Sequence, residues 1–540
     1  MPPPDYYRAN LERIIHWVES HYGHLVDAPL LGFVTRLRRL PVHAQRLYVR
    51  LLMRRGPWFR VDRLAYPEVG PTAPAVLALC LAGLAELAGA HRTRERLALL
   101  RSDELADLLD GQAADGWIRE ARKNDRLAAC EELEPTALAS VPEALALLGA
   151  EQVLCLQLLF FANDRQDLVD FILADLGILR FEPVSVEPVL PWREASQVRR
   201  DLRCLDAADE LSAFAAAAAL PEWGALARLE TALKSPATAT RVEVRRNRAL
   251  LRLARCWLEY GDERRALAVL AHASGAPARE AHCRLLASCG EMEAAERLQA
   301  QLMAAPDGDA EVQFAKRFEP DRGRCRPLGR TGPWRSRRLT LVRMDPTERI
   351  EQVVMHTLAQ GGGQALHVEN ALIGLIVGLA FWDIVFAPLP GAFVHPFQSA
   401  PLDLFEAGFR SRRAEAIDAR LCELANGSSG SKQLLDRWQA RFGTVNALVP
   451  WHRFSAREVQ RILEALPAPV LACLCKTALE HPPLLRRGFP DLILLGDAPG
   501  HFGFIEVKGP GDVLRPEQRR WLGAMANARL PVHVLEVRWA

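Results

Sequence analysis

Asp491 and Glu506 bracket two short apolar runs, Leu492-Ile493-Leu494-Leu495 and Phe502-Gly503-Phe504-Ile505, with Asp497-Ala498-Pro499-Gly500 between them. Two such runs flanking a turn cluster predict a β-hairpin. With Ala498 and Pro499 at its tip, Asp491 falls directly opposite Glu506, each at a strand end. Facing carboxylates repel, an unfavourable pairing without a compensating cation. Lys508, two residues past Glu506, points to the same face. Two acids and a lysine on one patch of sheet suit metal-assisted phosphodiester cleavage. The acids hold a hard divalent cation through oxygen, and the lysine orients a water or steadies the negative phosphorane. The alternative is a surface hairpin carrying an ordinary solvated cross-strand cluster.

After Lys508, Gly509-Pro510-Gly511-Asp512 breaks the strand and Arg515-Pro516-Glu517-Gln518 opens a helix with Pro516 in its first turn. Gln518 and Trp521 are three apart and share a face. Val532-His533-Val534-Leu535-Glu536-Val537 alternates as a last strand. The string from Phe489-Pro490-Asp491-Leu492 through Glu506-Val507-Lys508-Gly509-Pro510-Gly511-Asp512 to Gln518-Arg519-Arg520-Trp521-Leu522 resembles the VRR-NUC branch of the PD-(D/E)xK nuclease superfamily. Upstream, His367-Val368-Glu369-Asn370, Phe381-Trp382-Asp383-Ile384-Val385-Phe386, Pro401-Leu402-Asp403-Leu404, Phe409-Arg410-Ser411-Arg412-Arg413 and Val449-Pro450-Trp451-His452-Arg453-Phe454 resemble the Fanconi-associated nuclease family in the same order.

That resemblance implies structure-selective cleavage of branched or flapped double-stranded DNA near a 5′ end, a phosphodiesterase I activity used in repair of interstrand crosslinks. It also implies a requirement for Mg²⁺ or Mn²⁺, as one or two ions. It makes Glu369, Asp491, Glu506 and the Val507 carbonyl the metal ligands, with Lys508 catalytic beside the three acids and Gln518 in support. Read alone, Glu369 is an acid at the start of an apolar helix, where the macrodipole favours it. The run Ala371–Phe386 has sixteen residues, interrupted by Asp383, too short and too polar to span a bilayer; it is expected as a buried nuclease-core helix. Arg486 and Arg487 precede the Gly488-Phe489-Pro490 turn, as solvated loop arginines or as forks for phosphate oxygens. The resemblance favours Arg486 as part of a 5′-phosphate pocket. Two other functions stay open: a VRR-NUC nuclease resolving four-way junctions, and a helical DNA-binding scaffold whose nuclease is vestigial.

The first two thirds of the 540 residues show apolar positions recurring at three and four, so the expectation is helix almost throughout. Arg46, Arg50 and Arg54 line one helix face with no acid on the same stretch, while Leu47 and Leu51 face a core. A phosphate backbone would relieve the repulsion among them. Leu97 to Leu109 is similar to the first helix of a SAP module, with Ser102 expected as N-cap; Gly116-Trp117-Ile118-Arg119 is a poor match to the second. Leu258-Glu259-Tyr260-Gly261-Asp262 recurs as Ala287-Ser288-Cys289-Gly290-Glu291, twenty-nine residues on, in the manner of tetratricopeptide hairpins. Lys316 to Arg343 holds ten Lys/Arg against two acids, a solvated linker or a strip that tracks DNA.

The expected organisation is therefore multidomain and mostly α-helical over the N-terminal two thirds, ending in an α/β nuclease with a mixed sheet. Residues 1–90 form a helical DNA-binding region, 91–165 a SAP-like module, 166–310 a TPR-like domain, 311–346 a basic connector and 347–540 the nuclease. A net charge of +2 excludes a basic protein that coats DNA wholesale. Eleven cysteines without a CxxC pair argue for a reducing compartment without disulfides or structural zinc. With no leader pattern at Met1-Pro2-Pro3-Pro4, a cytoplasmic protein without a membrane partner is expected, nucleoid-associated if bacterial.

Overall fold

The structure, a computed structural model, describes residues 5–540 except 55, 89–91, 110–120, 135, 164–165, 327–331, 343–346, 360–363, 407, 428–429, 497 and 499. Gly116-Trp117-Ile118-Arg119 and Pro499 at the hairpin tip thus lie outside the described residues. The chain divides into two compact units: Met1–Ile178 with Leu190–Glu210 and Ala237–Glu243, and Leu179–Val189 with Leu211–Pro236 and Val244–Ala540.

In the first unit, helices Tyr6–Tyr22, Ala28–Arg39 and Val42–Leu52 bury Ile14, Phe33, Leu47 and Leu51. Asp27 caps the second of them, accepting the Leu30 N–H at 2.9 Å. Strand was not expected here, yet Ala144–Leu147 sits between Trp58–Arg60 and Ala85–Leu87 in a three-stranded antiparallel sheet. Strands of three or four residues are too short to show alternation. In the segment expected as SAP-like, helices Thr93–Ala98, Ser102–Leu109 and Lys123–Glu131 fall between two strands of that sheet and share their own small core of Leu97, Leu100, Leu105, Leu109 and Cys130. Ser102 is not the N-cap expected of it. Glu104 accepts the Arg101 N–H at 2.7 Å, and the Ser102 hydroxyl takes a hydrogen bond from Arg126.

In the second unit, Glu263–Leu270, Ala278–Ser288, Met292–Ala304 and Asp309–Arg317 follow one another as helical hairpins. The repeated glycines Gly261 and Gly290 hold φ of +77° and +84°, which explains why each turn has one. The basic connector is largely built into structure. Its start is the last of these helices and a hairpin of Phe318–Glu319 with Arg324–Cys325; its end, Arg335–Leu341, is a strand of the nuclease sheet.

That sheet has five strands: β1 Arg335–Leu341, β2 Gln364–His367, β3 Leu492–Leu495, β4 Phe502–Lys508 and β5 Val532–Trp539, in the order β1-β5-β4-β3-β2. β3 runs antiparallel to both neighbours, whereas β4, β5 and β1 are mutually parallel, so the sheet is mixed as expected. Leu492 pairs with Ile505, the register that sets Asp491 across from Glu506. One face, with Leu492, Ile505, Val507 and Leu535, packs on helix α1, Ile350–Ala359. The other, with Ile493, Phe504 and Val534, joins the main core with α2, Glu369–Ala380, and α3, Pro516–Asn527. α2 is buried from Leu372 to Ala380, and the apolar run breaks at Phe381 rather than continuing to Phe386 as one helix. No single helix among the described residues is long and apolar enough to cross a membrane.

Candidate active site

Period-two alternation along β4 turns Glu506 with Phe504 toward the α2 and α3 side, where its carboxylate is fully buried. It lies inside the strand, not at its end. Its Oε1 accepts Lys508 Nζ at 2.9 Å and a short hydrogen bond from Gln518 Nε2. Its Oε2 is buried with no hydrogen-bond partner. Burial pushes this carboxyl up to about 8, the Asp491 charge adding to the rise and Lys508 opposing it. Asp491 is pushed up to about 6, again chiefly by burial, against the Val507 N–H and Lys508, with Glu351 and Glu369 adding.

The Asp491 backbone fixes the neighbouring helix. Its carbonyl accepts the N–H groups of Val368 (2.8 Å) and Glu369 (3.2 Å) at the start of α2, while its Oδ2 accepts the Val507 N–H at 2.8 Å. Glu369 takes φ +38°, a left-handed value that costs a non-glycine residue energy and collects at functional sites. Asn370 accepts the Phe489 N–H at 3.2 Å, tying α2 to the turn before Asp491.

α3 brings in the last member. Trp521, fully buried, meets Phe489 edge-on at 5.0 Å and sets the helix against the turn. One turn earlier on that face, Gln518 Oε1 accepts both the Arg515 N–H (2.9 Å) and Lys508 Nζ (3.1 Å). Gln518 therefore caps its own helix and joins Lys508 to Glu506.

The structure brings together Asp491, Glu506, Lys508 and Gln518. Glu369 stands slightly apart: its carboxylate is 53% exposed, 3.6 Å from His367 Nε2. Among the described residues no three His, Cys, Asp or Glu side chains already converge as a metal site. Oxygens available to a cation are Glu506 Oε2, Asp491 Oδ1 and, from α2, the Glu369 carboxylate. A buried carboxylate oxygen without a donor is what an absent divalent cation would satisfy, so the residues fit such an ion.

The Arg46, Arg50 and Arg54 stripe is balanced by residues distant in sequence: Arg46 binds Asp5 (2.8 Å), Arg50 binds Glu68 (2.6 Å) and Arg54 donates to the Tyr66 hydroxyl (3.0 Å). Arg486 stacks on Phe405, 3.2 Å from its ring centroid, and Arg487 lies 4.0 Å from Glu517. Two features were not read from sequence. Glu351, in the first turn of α1, adds its charge to Asp491. Arg453 donates to the His367 carbonyl (3.0 Å) and meets the His367 ring. Only an acid at a helix start and an arginine in a motif hinted at them.

The whole chain aligns with a relative from Pseudomonas aeruginosa, Fanconi-associated nuclease 1 homolog, at 33% identity over 564 residues, covering 100% of this chain and 97% of the relative. The chain belongs to the Fanconi-associated nuclease family. The family models FAN1, HTH domain and VRR-NUC domain match residues 5–86 and 427–539. A Fanconi-associated nuclease 1 homolog of Arabidopsis thaliana is 26% identical over 610 residues, 99% of this chain and 67% of its own. The crystal structure of paFAN1 bound to 2nt 5′ flap DNA with gap superposes with a TM-score of 0.82 at 30% identity, covering 100% of this chain and 99% of that one. As a Fanconi-associated nuclease the chain is a DNA-cleaving hydrolase, and VRR-NUC nucleases depend on a divalent metal. Glu369 precedes the VRR-NUC match, so that carboxylate comes from outside the matched segment.

Proposed function

We propose that this nuclease cuts duplex DNA carrying a 5′ flap near the flap junction, as a 5′-flap endonuclease and 5′-to-3′ exonuclease serving interstrand-crosslink repair in the cytoplasm, on the nucleoid. Mg²⁺ or Mn²⁺, held by Glu369, Asp491, Glu506 and the Val507 carbonyl, would supply a Lewis acid and a water of lowered pKa. Lys508 has three N–H donors, two of them engaged by Glu506 and Gln518. The third positions the attacking water or meets the phosphorane oxygen, and cleavage leaves 5′-phosphate and 3′-hydroxyl ends. Gln518 keeps Lys508 and Glu506 in register. The organisation expected from sequence enters this reading as a division of labour: helical modules grip duplex DNA while the sheet cuts it. Arg486 and Arg487, on the loop entering the site, contact DNA phosphate.

The observation carrying this reading is the unpartnered, buried Glu506 Oε2 opposite Asp491. The 5′-flap DNA in the crystal structure of the similar paFAN1 supports the substrate. The test is to incubate wild type and Asp491→Ala with Mn²⁺ and a 5′-flap duplex, beside a 3′-flap duplex and a four-way junction. Preferential cutting of the 5′ flap, lost in the variant with binding retained, is expected. Preference for the junction, or no cutting despite binding, would replace the reading by a resolvase or a scaffold.

A further inference from the structure

Helix Thr72–Leu81 carries no charged residue, an unusual composition for a helix at a surface. Ala75, Val76 and Leu79 fill the core below it. On the opposite side Leu77 and Leu81, one turn apart, are 60% and 80% exposed. Beside Leu81 and Ala78 runs an open groove of about 320 Å³, floored by Leu40 and walled by Pro41, Arg36 and Arg39.

The two arginines lack counter-charges. Among the described residues neither Arg36 nor Arg39 forms an ion pair, and no acid lines the groove. Arg38 between them points elsewhere and is taken up by Glu12 (2.9 Å) and Glu19 (2.7 Å). The groove therefore presents two guanidinium forks, each suited to bidentate carboxylate binding, beside uncovered leucines. We propose that this groove docks an acidic peptide segment of a partner protein, with apolar side chains seated on Leu77 and Leu81 and carboxylates on Arg36 and Arg39.

DNA fits this face poorly. The Arg36 and Arg39 guanidiniums suit phosphate as well as carboxylate, but the helix beside them offers a backbone no further donor: Thr72 is its one hydroxyl-bearing residue, and Leu77 and Leu81 face solvent. Charge complementarity selects acid, and the leucines select a peptide over a phosphate backbone.

The test uses the full chain and a fluorescein-labelled synthetic helix with leucines at i, i+3 and i+7 flanked by aspartate and glutamate, read by anisotropy. Controls are the same peptide with serine for leucine, the same with lysine for the acids, and a DNA duplex. Saturable micromolar binding of the acidic peptide alone is expected, weakened roughly tenfold or more by Leu81→Ser and by Arg36→Glu/Arg39→Glu. Both variants should keep the wild-type circular dichroism, since Leu81 is 80% exposed and neither arginine forms an ion pair among the described residues. Absence of saturable binding, or binding indifferent to both variants, overturns the proposal. So does loss of duplex affinity in the arginine variant alone, which makes the groove a DNA surface. A wild-type dimer dissolved by Leu81→Ser overturns it too, giving the face to a second copy of the chain.

Discussion

Gln518 closes a loop of hydrogen bonds between a helix start and two buried charges, and that makes it the most informative residue to change after the acids. Residues that orient metal ligands from behind typically carry 10–100-fold in activity or metal affinity. Gln518→Ala should therefore lower kcat on a 5′ flap by roughly 10–100-fold with KM for DNA little changed. A rise in KM at constant kcat would assign it to DNA binding instead. Gln518→Glu should be at least as harmful, since a carboxylate cannot donate the hydrogen bond that Gln518 Nε2 gives Glu506 and repels it instead. At this scale the juxtaposition of Asp491, Glu506 and Lys508 was legible, since it follows from period-two geometry once a hairpin is assumed. What hid Glu351, and the pairing of Arg46 and Arg50 with Asp5 and Glu68, is that each depends on a chain segment arriving from elsewhere. A stripe of arginines looks unbalanced only until the tertiary fold supplies its acids.

Elements were legible in proportion to how much of their pattern is local. β3 and β4 announced themselves by apolar runs around a turn, and Pro516 marked the start of α3. β1 did not, because Arg335, Ser336, Arg337 and Arg338 are exposed at the sheet edge and read as linker; edges are often charged to discourage further pairing. The turn between Arg487 and Asp491 is a further case, its requirement being steric. Gly488 holds φ +81°, and a Cβ there would lie 2.6 Å from the Glu517 carbonyl carbon and 2.7 Å from the Gln518 nitrogen. Gly488→Ala should push the start of α3 away from the turn, costing about 1–3 kcal/mol and cleavage with it. Thermal melts and flap assays on the same preparation check this; an active variant of wild-type stability would mean that the α3 contact is not needed to hold Asp491. Gly374 is the corresponding point on α2, where a Cβ would meet the Leu448 carbonyl oxygen at 2.4 Å. Gly374→Ala is expected to destabilise the core comparably, by about 1–3 kcal/mol, in the same melts.

Over the whole molecule, the raised acids make stability depend on pH and on metal in opposite directions. Unfolded, Glu506 and Asp491 lose their protons near pH 4 to 4.5; folded and without metal they hold them to about 8 and about 6. Between these limits the native state binds more protons, so their contribution to stability falls as pH rises and levels off above about 8. In EDTA the melting temperature should decline from pH 5.5 to 8 more steeply for wild type than for Glu506→Gln, whose neutral amide removes that titration. A divalent cation competes with the same protons, so Mn²⁺ should raise the melting temperature more at pH 8 than at pH 6. At a hundredfold excess over its Kd a cation bound only to the native state contributes about 2.7 kcal/mol, enough to read in a melt. Glu506→Gln should show little of this increment at either pH. An Mn²⁺ increment equal at both pH values, or retained in full by Glu506→Gln, would mean that the ion binds elsewhere and that the opposed carboxylates are not its ligands.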